Sequence, residues 1–351
     1  MMLEYYNLKT IELEKELSSY KKIYLDTKYW LLFRDVVLGR NKDESLCKIF
    51  LIIQKNIALK KIICPISYDI FIEITKQKDP YTLNETIKLI DELSQGNTLI
   101  SEYDRMEYEL LMFILSYTKQ DYRTNSVWTK LMHIMSPMIP EPSDLFLSTD
   151  KKKIQKMWID HTFKLSLTEM MKAGDITKIQ NSEEYYNLTK ELNYQKKEHY
   201  DKQGSFKEVF MSEIAGTLDA MKETYNPIAR VLKNLDASKT GIKLEEKPDI
   251  RVFNNLIYHK FKLNEIDSSL PIIDITAGIH ASIRMDKRRN YKQNDFHDFS
   301  HAKSALPYFD YFFTEHSLKN LIMQKNLDYH NKYRCKIASS YDEILKIIDE
   351  I

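Results

Sequence analysis

Residues 294–316 read NDFHDFSHAKSALPYFDYFFTEH, and this stretch near the end of the chain decides the fold that we expect. Its first half mixes acids with histidines, and its second half is a dense aromatic run. A capping residue at Asn294 or Asp295 predicts a helix to about Ala305, because Pro307 stops it. A strand follows directly, so this end of the chain is α/β in character.

The aromatic run supplies that strand. Residues 308–314 (YFDYFFT) are apolar and β-favouring, and Glu315 stands at the carboxyl end. Asp310 lies inside this apolar segment, where a charge must be satisfied by a metal ligand role or by a buried partner. A helix over 317–324 and a last short strand over 334–338 are expected next, before a final helix.

The short run KIYLD at residues 22–26 is the expected partner from the other end of the chain. It is apolar, and it predicts a buried parallel strand with Asp26 at its C-terminal end. Residues 62–66 (IICPI) predict a second strand, after which Ser67 caps a helix that carries Glu73. Strands that alternate with helices predict a parallel sheet flanked by helices, so the expected fold class is α/β.

The middle of the chain departs from this pattern. A further short strand is possible over 98–100, and Asp104 is the expected cap of the helix that follows it. Residues 106–269 are charged and helical in period, so we expect a large all-α insertion. Its charge runs are most simply solvated helix faces. The expected domains are an N-terminal amphipathic helix over 1–19 and a discontinuous α/β domain over 20–105 and 270–351.

Composition limits the possible functions. The 351 residues carry 52 basic and 51 acidic groups, a net charge of +1, so nucleic acid must be bound by a local patch. The cysteines are scattered and suit a reducing compartment rather than a disulfide framework. The N-terminal region lacks an apolar core typical of a signal peptide, and no apolar run is long enough to cross a membrane. We therefore expect a cytoplasmic protein with no membrane partner.

Several acids are expected to meet at one edge of the sheet. Ligands of a parallel sheet bind beyond the carboxyl ends of its strands, where Asp26 and Glu315 lie. Glu73 and Asp298 lie near the start of helices that begin at the same edge, and Asp295 lies beside the cap of the second helix. Such a cluster stays ionised only near cations, and carboxylate oxygens suit Mg²⁺ or Mn²⁺. The candidate metal ligands are Asp26, Glu73, Asp295, Asp298, Asp310 and Glu315, with Asp26, Glu73, Asp298 and Glu315 as the catalytic set.

A basic cluster precedes the acidic helix. Two metal ions can hold a phosphodiester, generate a hydroxide and stabilise the leaving oxygen, and nearby cations can hold the flanking phosphates. The same cluster also fits an ordinary solvated helix end, just as a lone acid at a strand end is often only a cap. The candidate substrate-binding residues are Arg284, Lys287, Arg288, Arg289 and Lys292.

The acidic stretch resembles the C-terminal motif of PIN-like nuclease domains. In that motif an Asp near a helix start precedes a small-residue run of the HAxxAL type and a strand of the YxDxFFT type that ends in an acid, and HDFSHAKSALPYFDYFFTEH has the same order. KIYLDTKYW resembles the first strand of the family, ISYDIFIEI its second acidic helix, and KIASSYDEILKII its closing strand and helix. The resemblance covers about residues 20–105 and 270–351, and it leaves out the helical middle.

The resemblance implies a metal-dependent endoribonuclease that acts on single-stranded or structured RNA. Toxins, defence proteins and RNA-processing enzymes of this fold are of that kind, and RNA rather than DNA rests on this likeness alone. The commonest family pattern has Asp at the strand end, whereas this chain has the longer Glu315. The implied site is Asp26, Glu73, Asp298 and either Asp310 or Glu315, with Asp295 as an extra acid.

Residues 297–301 (HDFSH) support a competing interpretation, because HDxxH differs by one residue from the HExxH helix of zinc proteases. The spacing puts both imidazoles on one helix face, as zinc binding needs. Against a zinc hydrolase, the expected base is Glu rather than the shorter Asp, and Pro307 ends the helix within two turns. On the nuclease interpretation His301 packs beside the acids or in the core, and His297 is exposed.

A non-enzymatic interpretation also fits the sequence. A PIN-like domain with weakened activity would act as an interaction protein through its helical insertion, binding a protein partner or forming a homodimer. The long insertion and near-neutral charge allow this. The placement of the acids separates the interpretations, because shared metal ions need carboxylates within about 4–8 Å of each other.

Overall fold

The computed structural model describes residues 2–117, 125–135, 148–173, 184–200, 204–224 and 250–351. Helices make up most of these residues and surround a small parallel sheet. The strands are β1 (Lys21–Leu25), β2 (Ile62–Ile63), β3 (Asn97–Leu99), β4 (Trp128–Lys130), β5 (Tyr311–Phe313) and β6 (Lys336–Ala338). No helix in these ranges is long and apolar enough to cross a membrane.

The helices of the first half pack around β1 to β4. They are α1 (Met2–Leu17), α2 (Thr27–Val37), α3 (Glu44–Ala58), α4 (Tyr68–Thr75), α5 (Pro80–Ser94), α6 (Glu102–Leu115), α7 (Leu131–Met135), α8 (Ser148–Thr162) and α9 (Leu167–Ala173). The later helices are α10 (Glu184–His199), α11 (Phe206–Thr224), α12 (Ile250–Lys262), α13 (Pro271–Met285), α14 (Asp295–Tyr308), α15 (His316–Ile322), α16 (Tyr329–Lys332) and α17 (Tyr341–Asp349).

The main sheet joins the two ends of the chain. Its order is β2-β1-β5-β6, and every neighbouring pair is parallel. In the register of β1 and β5, Ile23 pairs with Tyr311 and Leu25 with Phe313, and these side chains are buried. A buried parallel sheet flanked by helices is confirmed, and the register places the residue after Leu25 beside the residue after Phe313.

A second sheet differs from the expectation. β3 pairs antiparallel with β4 and does not extend the parallel sheet. A single bridge between Ile66 and Thr98 connects this second sheet to the parallel one. β4 lies inside 106–269, the region expected to be all helical. Its three residues are too few for a periodic signal, and pairing with the distant β3 is what makes them a strand.

Two helix boundaries also differ from the prediction. α6 begins after Ser101, whose hydroxyl accepts a hydrogen bond from the Asp104 amide at 3.2 Å, so Asp104 is not its cap. α14 continues through Pro307 to Tyr308, and β5 therefore starts at Tyr311 rather than at residue 308. This later start changes the place of Asp310 in the sheet.

α13 connects the α/β core to the long helices. Its Ile275, Ile279 and Ile283 belong to the apolar core around the main sheet. Ile273 and Ala277, also on α13, belong to a second apolar core formed with α6, α11 and α12. Because α13 is buried against both sides, it seats the described part of the helical insertion on the α/β domain.

Candidate active site at the carboxyl edge of the sheet

Asp26 lies where β1 ends and α2 begins. Its side chain is 5% exposed and caps α2, accepting a hydrogen bond from the Lys28 amide at 3.4 Å. The Thr314 hydroxyl donates to its other oxygen at 2.8 Å. Because Thr314 follows β5, this bond ties the carboxyl ends of two neighbouring strands together beside an acid.

Glu73 approaches the same edge from α4. The Ser67 hydroxyl caps this helix by accepting from the Ile70 amide at 3.4 Å, and Glu73 falls on the second turn. The Glu73 carboxylate accepts hydrogen bonds from the Thr27 hydroxyl and from His301 Nε2, the latter at 3.1 Å. α4 is thereby joined to both α2 and α14.

His301 is the buried partner of Glu73. It is 1% exposed, and its Nδ1 lies 2.8 Å from the Tyr24 hydroxyl, which lies 2.8 Å from Ser67 Oγ. Burial would lower the pKa of His301, but the hydrogen bond to Glu73 and the charges of nearby acids, Asp26 among them, raise it to about 9. As an imidazolium, His301 donates from both nitrogens, and the Tyr24 hydroxyl donates in turn to Ser67.

The charge of Glu73 is held by the same contacts. Burial would raise its pKa, but the hydrogen bond and charge of His301, with smaller effects of Thr27 and His297, lower it to about 2. His297 Nδ1 lies 3.5 Å from the second carboxylate oxygen. The expectation that His301 packs beside the acids is confirmed, whereas His297 is half-buried rather than exposed.

The pKa of Asp298 is raised, in contrast to that of Glu73. Burial and then the negative charge of Asp26, together with the charges of Asp295 and Glu315, raise its pKa to about 7. The charge of His301 lowers this pKa in part, but in the described ranges the Asp298 carboxylate has no hydrogen bond or ion pair. The charge of Asp298 is therefore only partly compensated.

Glu315 stands at the rim of the site. It follows β5 and Thr314 and occupies the N-cap position of α15, although its side chain makes no capping hydrogen bond. It is exposed, and Lys28 Nζ lies 3.9 Å from its Oε1. The structure thus places all four residues of the expected catalytic set at the carboxyl edge, with Glu315 the most open to solvent.

Asp310 lies at the other edge of the sheet, which corrects its place among the candidate ligands. Its amide donates to the Lys22 carbonyl, four residues and so about 13 Å of strand before Asp26. The Asp310 carboxylate binds Lys21 Nζ and the Lys22 amide, each at 2.9 Å. Asp310 is therefore the partner of two lysines at the amino end of β5, and Glu315 is the strand-end acid.

Asp295 closes the loop that precedes α14. It is 5% exposed, and it accepts hydrogen bonds from the Lys292 amide at 3.0 Å and from Arg289 at 3.3 Å. Both oxygens are occupied by this loop. Its charge still acts on Asp298, but its hydrogen bonds are those of a loop-closing residue rather than of an open ligand.

The basic cluster divides into paired and open side chains. Arg284 forms an ion pair with Glu213 that joins α13 to α11, Arg289 pairs with Asp295, and Lys287 lies over the Tyr200 ring at 4.8 Å. Arg288 and Lys292 are exposed, and neither side chain is in an ion pair among the described residues. These two are the members of the cluster best placed to meet a phosphate.

Three charged residues near these acids were not predicted from the sequence as part of the site. Lys28 and Lys76 are exposed cations at the carboxyl edge, with Lys76 Nζ 3.3 Å from His297 Nε2. Asp69 is four residues before Glu73 on α4, and its charge contributes to the raised pKa of His301. The spacing of Asp69 and Glu73 on one helix face was the available signal for the second acid.

No ready-made metal centre is formed by the described side chains. Across those ranges, no group of three or more His, Cys, Asp or Glu residues is placed to hold a metal ion. The Glu73 carboxylate is instead in contact with His297 at 3.5 Å and His301 at 3.1 Å. Comparison of the chain with protein-family models, curated proteins and solved structures finds no match in any of the three.

Proposed function

We propose that this protein is a metal-dependent nuclease of the PIN-like class, an endoribonuclease that hydrolyses RNA phosphodiesters at the carboxyl edge of its sheet. The observation that carries the proposal is the relation between Asp26 and Asp298. These acids come from opposite ends of the chain, and the charge of Asp26 raises the pKa of Asp298, an effect that the charge of His301 offsets only in part. Carboxylates in this condition favour a cation.

The order of the acids along the fold supports the class of enzyme. One acid ends β1, a second lies on α4, a third begins α14, and a fourth follows β5. These are the positions that the resemblance to PIN-like nucleases assigns to the family's acids. A parallel sheet that collects acids at one edge also matches the general place of ligand sites in α/β folds.

The donor set fits an oxygen-ligated divalent cation. Asp26 and Asp298 would hold it, and Glu315 would complete the site from the rim. Bound Mg²⁺ or Mn²⁺ supplies a Lewis acid for the phosphodiester and lowers the pKa of a bound water. Glu73 binds His301 and so holds α14, which carries Asp298, in place at this site. Asp298 would hold a cation as the ionised carboxylate, so cation affinity should rise with pH through about 7.

The exposed cations around the edge are suited to a single nucleic-acid strand. Lys28 and Lys76 stand beside the acids, and Arg288 and Lys292 stand at the loop before α14. A net charge of +1 gives no long-range attraction, so these local charges must position the backbone phosphates. RNA is favoured over DNA by the family resemblance alone.

The test is cleavage of a labelled RNA pool and a labelled DNA pool by the purified full-length protein. We expect Mn²⁺-dependent cleavage of RNA that EDTA abolishes, and loss of that cleavage in Asp26→Asn and in Asp298→Asn. Asp310→Asn is the matched control, since this acid lies at the other edge, and it should keep activity. Full activity in Asp298→Asn would overturn the proposed site.

A folded protein that cleaves neither pool would favour an interaction protein, and cleavage of peptides with tightly held zinc would favour the zinc hydrolase.

A further inference from the structure

Two adjoining cavities lie away from the acidic edge, near the start of α13. Their volumes are about 500 Å³ and about 510 Å³, and both are bordered by Ser268 and Lys332. Each volume lies within the range of small-molecule sites. Tyr308 at the end of α14 and Arg334 just before β6 line the second cavity, which places it at the amino edge of the sheet, opposite Asp298.

The first cavity, which we call the aromatic cavity, has flat apolar walls. The rings of Phe206 and Phe210 stack within 17° of parallel and border the cavity. Phe261 and Tyr329 also border it. Asn264 and Asn326 also line it, and an asparagine side chain offers both donors and an acceptor. This combination suits a planar ring with polar edges.

The second cavity, the cationic cavity, presents positive charge and hydroxyl groups. Lys332 Nζ donates to Asp274 at 2.8 Å and keeps two further N–H groups. Arg334 is exposed, and its guanidinium has no ion pair in the described ranges. The side chains of Ser268 and Ser269 line the same space. An anion with several oxygens, such as a phosphate, matches these donors.

The two buried acids of this region do not oppose an anion. Glu109 is 4% exposed, and its oxygens accept hydrogen bonds from the Tyr308 hydroxyl and from the Ile272 amide. Burial raises the pKa of Glu109 to about 8, so the carboxyl is mostly neutral at pH 7. Asp274 is also buried, and Lys332 and the Tyr333 hydroxyl compensate its charge.

The backbone at Arg334 is left-handed, with φ +56°. Arg334 follows Tyr333, the C-cap of α16, and helices commonly end with a left-handed residue at this position. Glycine adopts this conformation without strain, so the guanidinium of Arg334 can be removed without opposing the backbone.

We propose that the two cavities together bind a nucleoside phosphate, with its base in the aromatic cavity and its phosphate at Lys332 and Arg334. A free nucleotide and one nucleotide of a single strand offer the same chemistry to this site. The site is separate from the acidic edge, so its existence does not depend on nuclease activity.

The test is calorimetric titration of the full-length protein with the four ribonucleoside monophosphates, their nucleosides, and short single-stranded oligoribonucleotides. We expect at least one nucleotide to bind tenfold or more tightly than its nucleoside. Binding of monophosphates would identify a free nucleotide as the ligand, and binding of oligoribonucleotides alone would identify a strand.

The decisive variant is Arg334→Gly, which removes the guanidinium and suits the left-handed backbone. It should weaken nucleotide binding at least tenfold without lowering the melting temperature. Arg40→Gly, at an exposed arginine that lines neither cavity, is the control and should bind as the wild type does. The proposal is overturned if no nucleotide or oligonucleotide binds in the low millimolar range, or if Arg334→Gly binds as tightly as the wild type.

Discussion

The carboxylate of Glu73 and the imidazole of His301 form a buried ion pair, with 3.1 Å between Oε2 and Nε2, across 228 residues of sequence. The second nitrogen of His301 is bonded to the Tyr24 hydroxyl on β1. This contact joins α4, α14 and β1 where the strands end. Asp298 lies three residues before His301 on α14, so the same pair helps to fix the acid whose pKa is raised by the charge of Asp26.

Replacement of His301 should destabilise the fold. His301→Ala removes one hydrogen bond from the Glu73 carboxylate, which keeps the Thr27 hydroxyl, and one from the Tyr24 hydroxyl, which keeps Ser67. Losing one member of a buried pair costs about 3–5 kcal/mol. The free energy of unfolding from urea titration measures this loss. His316→Ala is the control, because His316 is exposed and its loss should stay within about 0.5 kcal/mol. Equal stability of the two variants would contradict the role of His301.

The free energy of unfolding should depend on pH through the ionisation of Glu73 and His301. The pKa of His301 is raised to about 9, so its contribution is full below its ordinary value of 6.5 and is lost as pH rises through 9. The pKa of Glu73 is lowered to about 2, so its contribution is full above 4.5 and is lost as pH falls toward 2. The stability difference between wild type and His301→Gln should therefore be largest from about pH 4.5 to 6.5 and shrink toward pH 9. A difference that stays constant to pH 9 would contradict an imidazolium at this position.

Asp298→Asn should make the protein more stable at alkaline pH. The pKa of Asp298 is about 7, above its ordinary 3.8, so its ionisation opposes folding as pH rises between these values. The neutral amide removes that cost, and we expect a gain of about 1–3 kcal/mol at pH 8 that vanishes near pH 4. Thermal unfolding at the two pH values measures it. Asp310→Asn should instead lose about 1 kcal/mol, because it gives up contacts with Lys21 and Lys22.

Gly278 is required by close packing inside α13. A Cβ at this position would overlap the hydroxyl of Tyr329, which is buried and donates to the Asp274 carbonyl at 2.7 Å. Gly278→Ala should therefore cost about 1–3 kcal/mol or more in unfolding free energy. At Gly216 on α11, no atom of the described residues beyond the local helix backbone and the chain neighbours lies within 4 Å of the position that a Cβ would occupy, so Gly216→Ala should gain up to about 1 kcal/mol. The opposite order of these two variants would contradict the packing of α16 on α13.

The sequence predicted the parallel core and the edge where the acids meet. KIYLD and YFDYFFT are short, mostly apolar runs that end next to an acid, and such runs predict buried strands without any long-range information. Asp26, Glu73, Asp298 and Glu315 follow or lie near these strand ends, so their shared edge follows from the parallel arrangement. The assignment to PIN-like nucleases stays a prediction.

The errors came from contacts that local sequence does not encode. The apolar run around Asp310 indicates an interior strand residue, but α14 passes through Pro307 and shifts the start of β5 beyond it. The attachment of Glu73 to His297 and His301 depends on how α4 and α14 cross, which no sequence period reports. β4 exists only through its pairing with β3, and the two cavities likewise depend on the packing of distant helices.

The central claim is that the carboxylates at this edge form a divalent-cation site, and calorimetric titration of the full-length protein with Mn²⁺ tests it most directly. We predict that the wild type binds Mn²⁺, that Asp298→Asn weakens this binding at least tenfold, and that Asp310→Asn leaves it unchanged. Wild type and Asp298→Asn binding Mn²⁺ equally, or a wild type that binds none, would contradict the account.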